Sequence, residues 1–170
     1  MTLDKMTSIA LPADSATSVQ LLRYLLQTRD LTPRLELMGP DLGSMLDACD
    51  GALLIGDRAL EGAKESPSSV QLDLGMDWLK FTQKPMVFGV FAARRDTPVE
   101  SLRIAQGLLT DNLRLFEQSQ ERRRSVIQWA QSRSELDYER LDRYFGEVFN
   151  RIDKEHIDGL NQFLVEACNL

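Results

Sequence analysis

Apolar positions divide the chain into two stretches of different character. In the first, apolar runs are short and closed off by turn formers. Ser8–Pro12 reads as a strand stopped by its proline, and Arg34–Met38 alternates as a strand near a sheet edge does. Residues 52–55 form a continuous apolar run between Gly51 and Gly56, the pattern of a strand buried on both faces of a parallel sheet. That run is expected to be the strand around which the rest is organised. Residues 70–73 predict a brief strand. The longest apolar run, 86–93, predicts a buried strand that bends at Gly89 or crosses between lobes.

Helical spacing fills the gaps. Val19, Leu22, Leu25 and Leu26 follow the polar turn at 14–18. Asp41 is placed to cap a short helix through Met45, Leu46 and Ala48, and Asp73 to cap a turn holding Trp78, Leu79 and Phe81. From 97 onward everything reads as helix, with Thr97 as N-cap and Pro98 as the first helical residue. Leu102, Ala105, Leu109, Leu113 and Phe116 make one stripe, and Val126, Ile127 and Trp129 mark a more polar helix. Leu141, Tyr144, Phe145, Val148, Phe149 and Ile152 make another stripe, and Ile157, Leu160, Phe163, Leu164 and Ala167 a last one. All of these are expected to be core. The sheet they need is either the strand at 86–93 or one missing from this chain.

The fold class is therefore α/β over residues 8–93, followed by helices over 97–170. At 170 residues the chain holds one domain with a core, or two small lobes. A net charge of -6 gives nucleic-acid binding little electrostatic support. Two cysteines, Cys49 and Cys168, make no disulfide framework and no metal-ligand spacing. A single histidine, His156, argues against a histidine metal site or a triad. No metal and no cofactor are expected. The amino terminus lacks a signal-peptide pattern and no run is long enough to span a bilayer, so the expected location is cytoplasmic.

Candidate chemistry concentrates at two element ends. Ser15, Thr17 and Ser18 begin a helix, where free N–H groups and hydroxyls can hold a carboxylate or phosphate; plain capping explains the same residues. Gly56 and Asp57 follow the apolar run at 52–55, at the strand end where open α/β sheets bind ligands. Asp57 is the one catalytic candidate, as a base or as the partner of a ligand hydroxyl, with helix capping or pairing to Arg58 as the alternative. Arg94 and Arg95 read as a solvated hinge pair, Glu121 to Arg124 as a solvated helix face, His156 as a surface residue, and Trp78 and Trp129 as packing.

Three stretches together resemble a known family: Ser15-Ala16-Thr17-Ser18-Val19, the segment from Ala52 to Leu60, and Asp73 to Trp78 leading into Pro85 to Arg94. In order and spacing they are similar to the menaquinone-biosynthesis enzymes of the futalosine pathway, and among them to the chorismate dehydratases. The resemblance covers essentially the whole chain. It implies a two-lobed type 2 periplasmic-binding-protein-like fold with the ligand in the cleft between lobes. It also implies a hydro-lyase that converts chorismate to 3-[(1-carboxyvinyl)oxy]benzoate.

Family members are longer, so this chain is expected to begin near the crossover into the second lobe. It would hold that α/β lobe over 8–88, then the crossover and the C-terminal helices of the first lobe over 89–170, without the N-terminal part of the first lobe. Of the site, the resemblance carries over Ser15, Thr17, Ser18, Gly56 and Asp57 as binders of a small dicarboxylate substrate. No nucleic-acid or membrane partner is implied. Without the strands of the first lobe, the faces bearing Leu109, Phe116, Phe145 and Phe149 would be exposed and prone to self-association. Two alternatives stand beside this reading. One is the sibling enzyme that forms 1,4-dihydroxy-6-naphthoate, expected to use a histidine base for which His156 is poorly placed. The other is a non-catalytic small-anion-binding module.

Overall fold

All five residues of Ser8–Pro12 (β1) are buried, and the first of two units is built on this strand. The computed structural model describes residues 1–170. It divides into Met1–Phe88 with Ile152–Leu170, and Gly89–Arg151. In the first unit β1 lies between Arg34–Met38 (β2) and Gly51–Ala52 (β3), in a parallel sheet of order β2-β1-β3. Ile9 and Leu11 pack with Leu22 and Leu26 of Ala16–Gln27 (α1). Ala10, on the other face, meets Met45 of Leu42–Ala48 (α2) and Cys49. A strand covered on both faces needs apolar residues along its length; β1 has them from Ile9 to Pro12, and its one polar residue, Ser8, is buried with its hydroxyl bonded to Asp50. Asp50 fastens its start: the backbone N–H and hydroxyl of Thr7 donate to one carboxylate oxygen at 2.8 and 2.7 Å. Those bonds hold the Asp50 carboxyl below the usual range.

The central strand is thus β1, and the run at 52–55 is not buried on both faces. β3 is a two-residue edge strand, with Leu54 and Ile55 half-buried. β3 lies at the edge because no strand pairs on its far side, and a proline keeps it short. Leu53 N–H donates to the Ala10 carbonyl at 2.8 Å. The next rung would need an N–H from Pro12, which has none.

α1 is buried on two sides. Leu22 and Leu26 face the sheet. Leu21 and Leu25 face Trp78 of Leu74–Thr82 (α4) together with Phe163 of Lys154–Glu166 (α8) and Ala167. Tyr24 O–H donates to Glu166 at 2.6 Å, and Arg29 pairs with Asp77 at 2.6 Å. α8 lies so close to the 84–85 backbone that a Cβ on Gly159 would stand 2.3 Å from the Pro85 carbonyl oxygen. Residues 152–170 belong to the first unit, where Phe163 and Ala167 complete the pocket around Trp78. Between β3 and α4 runs Gly56–Glu65 (α3). Residues 70–73 form no strand; they lead to Asp73, which caps α4 by accepting from Met76 N–H at 2.9 Å.

The second unit is helical: Val99–Gln118 (α5), Gln120–Gln131 (α6) and Tyr138–Glu147 (α7). Ile127, Leu136 and Leu141 are buried, and the Phe116 and Phe145 rings meet at 5.4 Å. Arg123 donates to the Asp142 carboxylate at 2.6 Å while its guanidinium lies over the Phe116 ring. Several expectations fail here, among them the core roles of Val126, Val148 and Phe149, which are exposed. α5 has no buried residue, so Leu102 and Leu109 are surface and not core. Its N-cap is Pro98, one residue later than the Thr97 expected. Trp129 is exposed and lies beside the Arg133 guanidinium, 4.1 Å from ring centroid to Cζ.

Residues 86–93 do not form the buried strand expected. They make no backbone–backbone hydrogen bond and Phe91 is 88% exposed. An apolar run becomes a strand only when another strand supplies its rungs, and no strand of this sheet pairs with it. No helix of the chain is long and apolar enough to cross a membrane.

Candidate functional site

The parallel sheet puts the carboxyl ends of β1 and β3 side by side, because Ala10 is in register with Ala52. Each end runs into a helix start. After β1 comes Ser15, the N-cap of α1, whose hydroxyl oxygen accepts from Ser18 N–H at 3.3 Å. Capping by Ser15 is therefore real. It satisfies only one of the open donors of the first turn, and the N–H groups of Ala16 and Thr17 have no intrahelical acceptor. Thr17 is half-buried and Ser18 buried, so Ser18 serves the turn from inside more than it faces solvent.

After β3 the backbone turns at Gly56, at φ +59°, into α3. That left-handed conformation favours glycine. No atom comes within 4 Å of where a Cβ would stand, so conformation and not crowding selects the residue. α3 has Ile55 as N-cap and no side-chain cap, which leaves the N–H groups of its first turn open. Asp57 sits in that first turn, exposed, where its charge meets the positive end of the helix dipole.

Arg58 joins the two starts. It pairs with Asp14 at 2.6 Å, not with Asp57, and this bond holds the Asp14 carboxyl below its ordinary range. The sequence reading missed the pair. Its signal was positional, since Asp14 follows the end of β1 and Arg58 follows the end of β3 in neighbouring parallel strands. The structure thus brings Ser15, Thr17, Gly56 and Asp57 to one sheet end, with Ser18 beneath. What they offer is open N–H donors from two helix starts, neutral hydroxyls, and one carboxylate as acceptor.

The other candidates lie elsewhere. His156 sits at the start of α8, its Nδ1 2.7 Å from the N-cap Asp153, and is partly buried. The His156 hydrogen bond holds Asp153 below the usual carboxylate range. Arg94 bonds Asp96 through Nε at 3.1 Å. Cys49 is buried and Cys168 half-buried. No group of three or more His, Cys, Asp and Glu is arranged to hold a metal.

Residues 1–168 match the menaquinone biosynthesis family. The chain belongs to that family. Among curated proteins, a chorismate dehydratase of Thermus thermophilus is 35% identical over an alignment that covers 73% of this chain and 53% of the relative. The chain spans about half the length of that relative. The family match takes in the β1 and β3 ends, both helix starts, and all but the last two residues of the chain. Membership thus extends across both units.

Proposed function

We propose that this chain acts in menaquinone biosynthesis as a chorismate dehydratase, a hydro-lyase that converts chorismate to 3-[(1-carboxyvinyl)oxy]benzoate and water. The observation that carries the reading is the 35% identity to a chorismate dehydratase within a menaquinone biosynthesis family match over residues 1–168. The sheet end suits such a substrate. Chorismate carries two carboxylates, and open helix N–H groups with neutral hydroxyls hold a carboxylate without a basic residue. In this reading the first turn of α1, with Ser15 and Thr17, receives one carboxylate and Ser18 supports that turn. Gly56 lets the backbone approach the ring. Asp57 accepts from the ring hydroxyl.

Loss of water breaks the bond from the ring carbon to its hydroxyl and the carbon–hydrogen bond on the neighbouring carbon that bears the ether; the released proton leaves with the hydroxyl as water, and the ring becomes aromatic. Aromatisation supplies driving force, so the protein's share is to hold ring geometry and support the departing hydroxyl. The architecture proposed is type 2 periplasmic-binding-protein-like, with residues 8–88 as the ligand-carrying lobe. A cytoplasmic site of action fits a cytoplasmic substrate.

Incubating the purified chain with chorismate, with chromatographic and ultraviolet detection of the product, tests the proposal. Formation of the enolpyruvyl benzoate is expected, with Asp57→Asn lowering the rate. Neither conversion nor a rise in melting temperature on adding chorismate would reject it.

A further inference from the structure

α5 carries five charged residues: Glu100, Arg103, Asp111, Arg114 and Glu117. Glu117 bonds Arg151. The other four are arranged about Gly107 with opposite sign at matching distance. Arg103 and Asp111 stand four residues to either side, and Glu100 and Arg114 seven to either side. At 3.6 residues per turn, offsets of four and seven return to the face of Gly107. The face is solvent-exposed along its length. Within the helix Arg114 lies 3.0 Å from Asp111 and Arg103 4.0 Å from Glu100, exposed pairs that exchange partners at little cost.

We propose that this face pairs two copies of the chain, antiparallel, about a two-fold axis at Gly107. A symmetric contact requires that residue i meet j while j meets i. A second α5 crossing in the reverse direction sets Glu100 against Arg114 of the other copy and Arg103 against its Asp111, each pair formed twice. A parallel crossing would set like charges together.

Gly107 is the independent observation. A glycine inside a helix costs about 1 kcal/mol against alanine. Nothing lies within 4 Å of a Cβ built there, so the chain's own packing does not ask for glycine. Close approach of a second helix at the crossing point does. Ile104, Leu108 and Leu115, exposed at 57%, 60% and 47%, flank the charged face and lose water on pairing. A helix pair about 30 Å long covers less than a standard interface, so the dimer is weak. Exposed charges fix its direction more than its strength, and salt loosens it.

Sedimentation equilibrium of the full chain, over a range of concentrations at low and high salt, reads this directly. The expected result is a monomer–dimer equilibrium weakened by salt. Arg114→Glu sets glutamate against Glu100 twice and raises the dissociation constant roughly tenfold or more. Adding Glu100→Arg to it restores sign inversion and returns the constant toward wild type. Gly107→Leu removes the dimer, with helix content checked by circular dichroism. A monomer throughout, a dimer indifferent to Arg114→Glu, or a charge swap no tighter than the single variant would overturn the proposal. None of these readouts involves chorismate.

Discussion

α1 and α5 are both long amphipathic helices rich in leucine, and they meet opposite fates. Leu21, Leu22, Leu25 and Leu26 of α1 are at most 4% exposed; Leu102, Ile104, Leu108 and Leu109 of α5 are at least 38% exposed. The spacing of apolar residues is equally good in both. What differs is the neighbour. α1 has a sheet on one side and Trp78 with Phe163 on the other, while only the Leu113 and Phe116 end of α5 finds cover within its own unit. Periodicity names the apolar face of a helix, and packing decides whether that face stabilises anything.

The two helices differ most in what Trp78 does for α1. Trp78→Ala empties the space between α1 and α8 and is expected to cost about 3–5 kcal/mol in urea unfolding. Leu108→Ala in α5 is expected to change stability by less than about 0.5 kcal/mol at concentrations where the chain is monomeric. Similar costs for the two would erase the distinction between the helices.

Two helix glycines sharpen it with opposite signs. Gly159→Ala drives a Cβ into the Pro85 carbonyl oxygen, 2.3 Å away, and is expected to lose about 1–3 kcal/mol. Gly107→Ala meets open space and is expected to stabilise the monomer by up to about 1 kcal/mol. Thermal unfolding of the pair checks both.

Smaller still is Ser15→Ala, which removes the α1 cap and is expected to cost about 1 kcal/mol. Retention of full stability would mean that another acceptor replaces the hydroxyl.

The pH dependence belongs to the first unit. Asp14, Asp41, Asp50 and Asp153 all have lowered folded pKa values, Asp14 through Arg58, Asp41 through Ser44, Asp50 through Thr7 and Asp153 through His156. Their contribution is present above the ordinary value of 3.8 and is lost as pH falls through the lower folded values. Asp50→Asn is expected to flatten the fall in urea midpoint as pH drops from the ordinary carboxylate range into strong acid. Tyr24 behaves in reverse. Burial and the Glu166 carboxylate push its hydroxyl up to about 12, so its contribution is whole below 10.0 and lost as pH rises through about 12. Tyr24→Phe is expected to remove that alkaline loss.

Three helix starts were legible in the chain. Ser15, Asp41 and Asp73 cap as their local sequence predicts, since a cap needs only a short polar side chain and the N–H groups within three residues of it. Gly56 was legible as a turn for the same local reason. Strand rank was not. The runs at 52–55 and 86–93 are more apolar than β1, yet one is mostly edge and the other makes no strand. A rung needs a donor across the gap, and Pro12 withholds one while 86–93 has no facing strand. The Arg58–Asp14 bridge was hidden as well, because it depends on β1 and β3 lying side by side.

The α/β character of the first stretch, the helical character of the second, the caps at Ser15, Asp41 and Asp73, the turn at Gly56 and the sign-inverted charges of α5 all follow from the sequence alone. Each rests on residues within a few turns of one another. Only tertiary structure decided that β1 is central, that α8 closes over Trp78, that α5 lies open, and that two helix starts share one sheet end. Those outcomes depend on which surfaces meet across many intervening residues, and burial is a property of the pair of surfaces and not of either one alone.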